Sequence, residues 1–108
     1  LGSGGSNRLR NAIMMTLCNL IEFGREPADA VSAPRVHLEA SAGDFELNVE
    51  VAEHADDILE GLAEVFPRTI RFPDRNMFFG GVHTALSLNG ELSGVGDARR
   101  GGFSAIAR

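Results

Sequence analysis

The spacing of apolar residues along this chain switches between helical and strand periodicity. From Leu9 to Ile21, apolar residues recur at three- and four-residue intervals, which predicts an amphipathic helix. Over residues 45–50, apolar and polar side chains alternate, which is typical of a strand with one buried face and one exposed face. The expected class is therefore α+β, with two main helices on one face of a mostly antiparallel sheet.

The other segments fit this class. We expect Ser6 or Asn7 to cap the first helix, Gly24 to end it, and Pro27 to begin a short helix that reaches about Ser32. The further elements predicted are strands at 36–40, 44–50 and 69–72, a helix at 51–66, a long strand at 77–88, and a partner strand at 92–96 that follows an Asn89-Gly90 turn. The segment 102–107 closes the chain. We expect all of it to form one domain, 1–108.

Composition excludes several functional classes. The net charge of −5 argues against a nucleic-acid partner, and the apolar runs are too short to span a bilayer. Cys18 is the single cysteine, so no disulfide forms within the chain. We expect neither a metal nor another cofactor, because the histidines stand at no metal-ligand spacing. They are His37, His54 and His83.

The segment "GSGGSN" at residues 2–7 is the strongest candidate for chemistry. It matches neither a dinucleotide-binding fingerprint nor a phosphate-binding loop, because Asn7 stands where the third glycine is needed and no Gly-Lys-Ser/Thr follows. By composition it equally suits a flexible linker. Gly4 and Gly5 precede a helix, however, and backbone N–H groups placed there can stabilise an anion. The segment is therefore either a turn or an oxyanion loop.

Four segments, taken in order, resemble the C-terminal part of the γ-glutamyltranspeptidases. They are "GSGGSNRLRNAI", "NLIEFGREPADAVSAPRVHLE", "ADDILEGLAEV" and "GGVHTALSLNGELSGVGDARRGG". The most specific pieces are the glycine loop, the segment Ala30–His37, and the segment Asp97–Gly101, which is similar to a "DPRR.G" pattern with Ala98 in place of the proline.

The resemblance implies an N-terminal nucleophile hydrolase, and hence part of an αββα sandwich. It implies that Gly4 and Gly5 form the oxyanion hole by their backbone N–H groups. The resemblance also implies that the threonine nucleophile and the residues that bind the glutamyl group lie upstream. Thr16, Thr69 and Thr84 are interior to the chain and cannot act as an N-terminal nucleophile. The implied partners are a large subunit, the N-terminal part of the small subunit and a γ-glutamyl substrate. Family members are often periplasmic, secreted or surface-attached.

Two interpretations of the whole chain follow. In the first, it is a segment of an enzyme that transfers or hydrolyses γ-glutamyl groups of glutathione-like donors, and it is inactive alone. In the second, it is a non-catalytic binding or scaffold module related to that family. In either case, open sheet edges and the apolar stripe of the first helix predict that the isolated chain self-associates.

Overall fold

The computed structural model describes residues 1–4, 8–41, 43–51 and 56–105. Its helices are α1 (Leu9–Ile21), α2 (Pro27–Ser32) and α3 (Asp56–Val65), and two 3₁₀ turns lie at Met77–Phe79 and Ala98–Arg100. Its strands are β1 (Gly2–Gly4), β2 (Val36–Ser41), β3 (Asp44–Glu50), β4 (Arg68–Phe72), β5 (Gly81–Leu88) and β6 (Glu91–Val95). None of the helices in these ranges is both long enough and apolar enough to cross a membrane.

The chain divides into two compact units. Unit 1 combines Leu1–Ala33 with Met77–Arg108, and unit 2 is Pro34–Asn76. Each unit contains one three-stranded sheet. Residue patterning alone indicated one mostly antiparallel sheet, and the presence of two small sheets corrects that interpretation.

Unit 1 is built on the antiparallel sheet β1-β5-β6. Helix α1 contacts α2, β1 and β5. The Asn19 side chain donates a hydrogen bond to the Ala30 carbonyl at 3.4 Å, which joins the two helices. Both α1 and α2 have the bounds that periodicity and Pro27 predicted. Gly24, at φ 59°, lies three residues beyond the end of α1.

Helix α1 is less buried than its apolar stripe predicted. Only Ala12 and Thr16 are buried, whereas Ile21 is 72% exposed. The side chains of Met14 and Leu17 are also exposed. The expected capping residues Ser6 and Asn7 lie outside the described residues. Within unit 1, therefore, this helix uses one narrow side for packing.

The long strand predicted at 77–88 is wrong in its first third. Residues Met77–Phe79 form a 3₁₀ turn, and β5 begins only at Gly81. The break falls at Gly80, which has φ 85°, a left-handed conformation that ends any extended run. Beyond β5, Asn89 and Gly90 have φ 53° and 80°, which confirms the predicted hairpin turn.

Unit 2 is built on the sheet β2-β3-β4. The pair β2–β3 is antiparallel, but β3 and β4 are parallel and are joined through α3. The sequence predicted antiparallel strands throughout this part. The helix between β3 and β4 is the connection that a parallel pair needs, because a tight turn cannot return the chain to the same end of the sheet.

The core of unit 2 lies between the sheet and α3. Leu47, Val49 and Leu59 are buried together, with Leu62 and Phe66 packed against them. Of the predicted helix 51–66, residues 56–65 are helical and residues 52–55, with His54, lie outside the described residues.

The expected alternation in β3 holds only in part. Phe45, predicted to be buried, is 57% exposed, whereas Asn48 and Glu50, predicted to face water, are buried. Both faces of the C-terminal half of β3 are therefore covered. Alternation reports one covered face and cannot show that the second face is also packed.

Candidate active site

The glycine segment begins as a strand. Gly2, Ser3 and Gly4 form β1 and pair in antiparallel register with β5, so that Gly4 lies opposite Gly81. The Gly81 N–H donates to the Ser3 hydroxyl oxygen at 3.2 Å. Gly4 is thus the last residue of β1, while Gly5 lies outside the described residues. Of the segment that the sequence left as either a turn or an oxyanion loop, residues 2–4 form a strand, and residues 5–7 lie outside the described residues.

The start of α1 is anchored beside this segment. Arg8 donates from Nε to the Phe78 carbonyl at 2.6 Å, and its guanidinium lies 3.8 Å from the centre of the Phe78 ring. No acidic side chain lies in the first turn of α1. A helix N-terminus carries a partial positive charge, and the described first turn of α1 adds no negative charge to it, so this end of α1 is favourable for an anion.

A buried aspartate follows β6. Asp97 is 1% exposed, and its Oδ2 accepts a hydrogen bond from the Val82 N–H at 2.9 Å. Its Oδ1 accepts the Arg99 N–H at 3.0 Å, which caps the 3₁₀ turn that begins at Ala98. The turn therefore forms with alanine at the position where the family pattern has proline.

The Arg99 side chain links this turn to the end of α2. Its fully buried guanidinium lies 3.3 Å from Asp97 Oδ1. It also donates to the carbonyls of Val31 and Ala33, each at 2.8 Å. Two of the sequence pieces that carried the resemblance, Ala30–His37 and Asp97–Gly101, are therefore in direct contact within unit 1.

The second half of the Ala30–His37 segment lies in unit 2, where it meets another buried carboxylate. Glu50 is fully buried, and its Oε1 accepts the Arg35 N–H at 2.8 Å. Its Oε2 accepts the Asn76 N–H at 2.8 Å. In addition, the Glu50 N–H donates to the Arg35 carbonyl at 2.9 Å. This carboxylate thus connects residues near both ends of unit 2.

The three threonines are built into secondary structure. The Thr16 hydroxyl donates to the Ala12 carbonyl within α1, and the Thr69 hydroxyl donates to the Phe66 carbonyl. Thr84 is buried in β5. Thr16 and Thr84 are therefore buried, and Thr69 is partly exposed.

The histidines that the structure describes do not come together. His37 Nε2 lies 3.3 Å from Glu39 in β2, and His83 Nδ1 accepts the Asp97 N–H in unit 1. Among the described residues, no group of three or more His, Cys, Asp or Glu side chains could hold a metal ion.

Comparison with known proteins decides the family. The family model described as gamma-glutamyltranspeptidase matches residues 1–107. The chain belongs to the γ-glutamyltranspeptidase family. A search of curated protein sequences gives no match.

Solved structures of similar proteins show the same fold. The enzyme from Pseudomonas nitroreducens complexed with L-DON has a TM-score of 0.82 and 21% identity, over 99% of this chain and 54% of that one. A mutant enzyme from Helicobacter pylori has a TM-score of 0.71 and 25% identity, over 91% and 52%. The transpeptidase CapD from Bacillus anthracis has a TM-score of 0.73 and 18% identity, over 98% and 61%.

Two facts follow from these structures. The chain spans about half the length of the chains that it matches. Its mixed helix and sheet architecture is that of the solved γ-glutamyltranspeptidase from Pseudomonas nitroreducens, which confirms the α+β expectation. Sequence reasoning missed the central place of Asp97, for which the family-like "DARRG" segment was the available signal.

Proposed function

We propose that this chain is the C-terminal part of the small subunit of a γ-glutamyltransferase or hydrolase. In this proposal the nucleophile and the residues that hold the glutamyl group belong to the preceding part of the same enzyme. The observation that carries the proposal is the family match, because it runs from the glycine segment through residue 107. The half-length coverage of the matched chains agrees with it.

Gly4 and Gly5 have a defined role in this proposal. A threonine hydroxyl attacks the γ-glutamyl amide carbonyl, and the carbonyl oxygen becomes an oxyanion in the tetrahedral intermediate. The N–H groups of Gly4 and Gly5 donate hydrogen bonds to that oxyanion. Collapse of the intermediate expels the amine, which takes up the proton released by the threonine hydroxyl, and leaves a γ-glutamyl ester on the threonine. Water or the amino group of an acceptor then releases the glutamyl group.

The surroundings of Gly4 support this role. The residue ends a paired strand and stands shortly before the N-terminus of α1, where Arg8 supplies a positive charge. Glutathione-like compounds are the donors proposed from the family. In one solved relative, an acivicin-inhibited γ-glutamyltranspeptidase, the C-terminus has critical roles in autoprocessing and catalysis. A role of the present segment in turnover would be consistent with that finding.

The test is valine substitution of either glycine in the intact enzyme. Gly4→Val or Gly5→Val should lower kcat for a chromogenic γ-glutamyl amide roughly a hundredfold, because the β-branched side chain disturbs an oxyanion donor. Gly61→Ala is the matched control, since a methyl group there meets nothing within 4 Å. Normal turnover by both valine variants would contradict the oxyanion role.

A second assay separates the enzyme from the scaffold interpretation. The 108-residue chain alone should release no product from the same amide, because the proposed nucleophile is outside it. Measurable turnover by this chain would contradict the placement of the nucleophile. A binding or scaffold module would instead be indicated if the intact protein also lacked γ-glutamyl turnover.

A further inference from the structure

Asp97 holds two consecutive residues of β5. Its carboxylate accepts the Val82 N–H at 2.9 Å, and its own N–H donates to the His83 imidazole at 3.2 Å. The last β5–β6 pair in this direction is Thr84 with Val95. Beyond that pair, the Asp97 side chain supplies β5 with the acceptor that a continuing β6 would otherwise provide.

The same stretch of β5 carries β1 on its other edge. The β1–β5 pairs are Gly2 with His83, Ser3 with Val82 and Gly4 with Gly81. Neighbouring N–H groups of a strand point to opposite edges, so the Val82 N–H faces Asp97 while the Gly81 N–H faces Ser3. Asp97 therefore holds two of the three β5 residues that pair with β1, namely Val82 and His83.

The Asp97 carboxylate is itself fixed in place. Arg99 approaches Oδ1 to 3.3 Å and is tied to the carbonyls of Val31 and Ala33. Both side chains of the ion pair are essentially excluded from solvent. Such a pair has little freedom to shift unless one partner is removed, which leaves an uncompensated buried charge. The anchor is thus rigid and is connected to α2.

We propose that Asp97 is a positioning residue for the oxyanion loop. It fixes the place of β5, β5 fixes β1, and β1 ends at Gly4, whose N–H group the proposed function assigns to the oxyanion. This inference rests on the proposed function of the two glycines. Asp97 touches no substrate. Its effect on rate arises because an oxyanion donor works only within a narrow distance range, so that a shift of about 1 Å is costly.

Asp97→Asn in the intact enzyme tests the proposal. Asparagine has nearly the same shape but presents only one acceptor oxygen. Either the Val82 N–H or the Arg99 N–H and guanidinium therefore lose the oxygen that accepts from them. We expect kcat to fall roughly 10- to 100-fold, with KM within about twofold of the wild type. Hydrogen exchange followed by mass spectrometry should be at least about tenfold faster in peptides covering residues 1–8 and 79–84.

Two controls separate positioning from a general loss of stability. Asp74→Asn makes the same chemical change at an exposed site in unit 2. Leu59→Val weakens the buried core of unit 2 without touching β1 or β5. Both should keep kcat and the exchange of residues 1–8 unchanged at temperatures well below their melting points. If Asp97→Asn does not fold, Arg99→Lys replaces it and should show a smaller loss of the same kind.

The outcomes are distinguishable. A folded Asp97→Asn enzyme with wild-type kcat and wild-type exchange at residues 1–8 would overturn the inference. The inference would also be overturned if Asp97→Asn and Leu59→Val had similar melting temperatures and lowered kcat by the same factor. If the wild-type enzyme shows no γ-glutamyl turnover, the proposed function fails, and the exchange of residues 1–8 alone decides whether Asp97 positions β1.

Discussion

Each unit of this protein contains a fully buried carboxylate, and the two connect different parts of the chain. Asp97 in unit 1 binds a β5 amide and the arginine two residues away. Glu50 in unit 2 accepts hydrogen bonds from the backbone N–H groups of Arg35, the second residue of that unit, and Asn76, its last residue. Asp97 thus holds the strand that pairs with β1, whereas Glu50 links the second and last residues of unit 2.

Burial alone therefore does not assign a role to either carboxylate. Both side chains satisfy backbone N–H groups that would otherwise be buried without an acceptor. Only Asp97 holds the strand that pairs with the glycine segment. We therefore expect changes at Asp97 to appear chiefly in the reaction rate and changes at Glu50 to appear chiefly in stability.

The largest effect in this comparison is expected at Glu50. Glu50→Gln leaves one of two backbone N–H groups without a carboxylate oxygen, which should lower the free energy of unfolding by about 1–3 kcal/mol. The kcat should stay within about twofold of the wild type. Urea denaturation of the intact protein measures the first quantity. Glu60→Gln, at an exposed position of α3, is the matched control.

One result would erase the distinction between the carboxylates. If Glu50→Gln lowered kcat as strongly as Asp97→Asn while leaving the unfolding free energy unchanged, both residues would have to be treated as positioning residues.

Both units expose apolar side chains on a helix, and we expect the two helices to differ in their effect on self-association. Leu17 and Ile21 are exposed one turn apart on α1, whereas Ile58 is an exposed apolar residue of α3. Self-association of the 108-residue chain should depend on the α1 stripe. Leu17→Gln with Ile21→Gln should therefore weaken it at least about tenfold, or about 1.4 kcal/mol.

Light scattering across a concentration series measures this association. Ile58→Gln is the control and should leave the association constant unchanged. A wild-type chain that stays monomeric at high concentration, or an equal effect of Ile58→Gln, would contradict the role of α1.

The smallest effect is expected at Ala98. Proline suits the first position of a helical turn, and Asp97 before it has φ −87° and ψ 117°, the extended region that a following proline favours. Ala98→Pro should raise the unfolding free energy by about 0.4–1 kcal/mol. Calorimetry of the intact protein measures the change, and a decrease would show that the Asp97 turn cannot accept proline's fixed φ.

Local sequence signals predicted the helices of unit 1 well. The three- and four-residue spacing gave α1 its bounds, and Pro27 marked the start of α2. The Asn89-Gly90 turn was equally readable, because few other residues accept its left-handed angles. These features depend on residues that are neighbours in the sequence.

Features that depend on distant contacts could not be read in this way. Glu50 was expected to face water, but it is buried and accepts hydrogen bonds from the backbone N–H groups of Arg35 and Asn76. The parallel pairing of β3 and β4 depends on the path of α3, which no spacing reports. Of the candidate site, Gly4 and Gly5 were singled out by their position before a helix and by the family resemblance, whereas the contacts of Asp97 required the fold.

The proposed oxyanion role of Gly4 and Gly5 can be tested by the rate of acylation in a single turnover. With intact enzyme in excess over a chromogenic γ-glutamyl amide, release of the leaving amine reports formation of the acyl-enzyme. Gly5→Val should slow this step about a hundredfold while substrate affinity stays near that of the wild type. An acylation rate equal to that of the wild type and of Gly61→Ala would contradict the oxyanion role of the glycine loop.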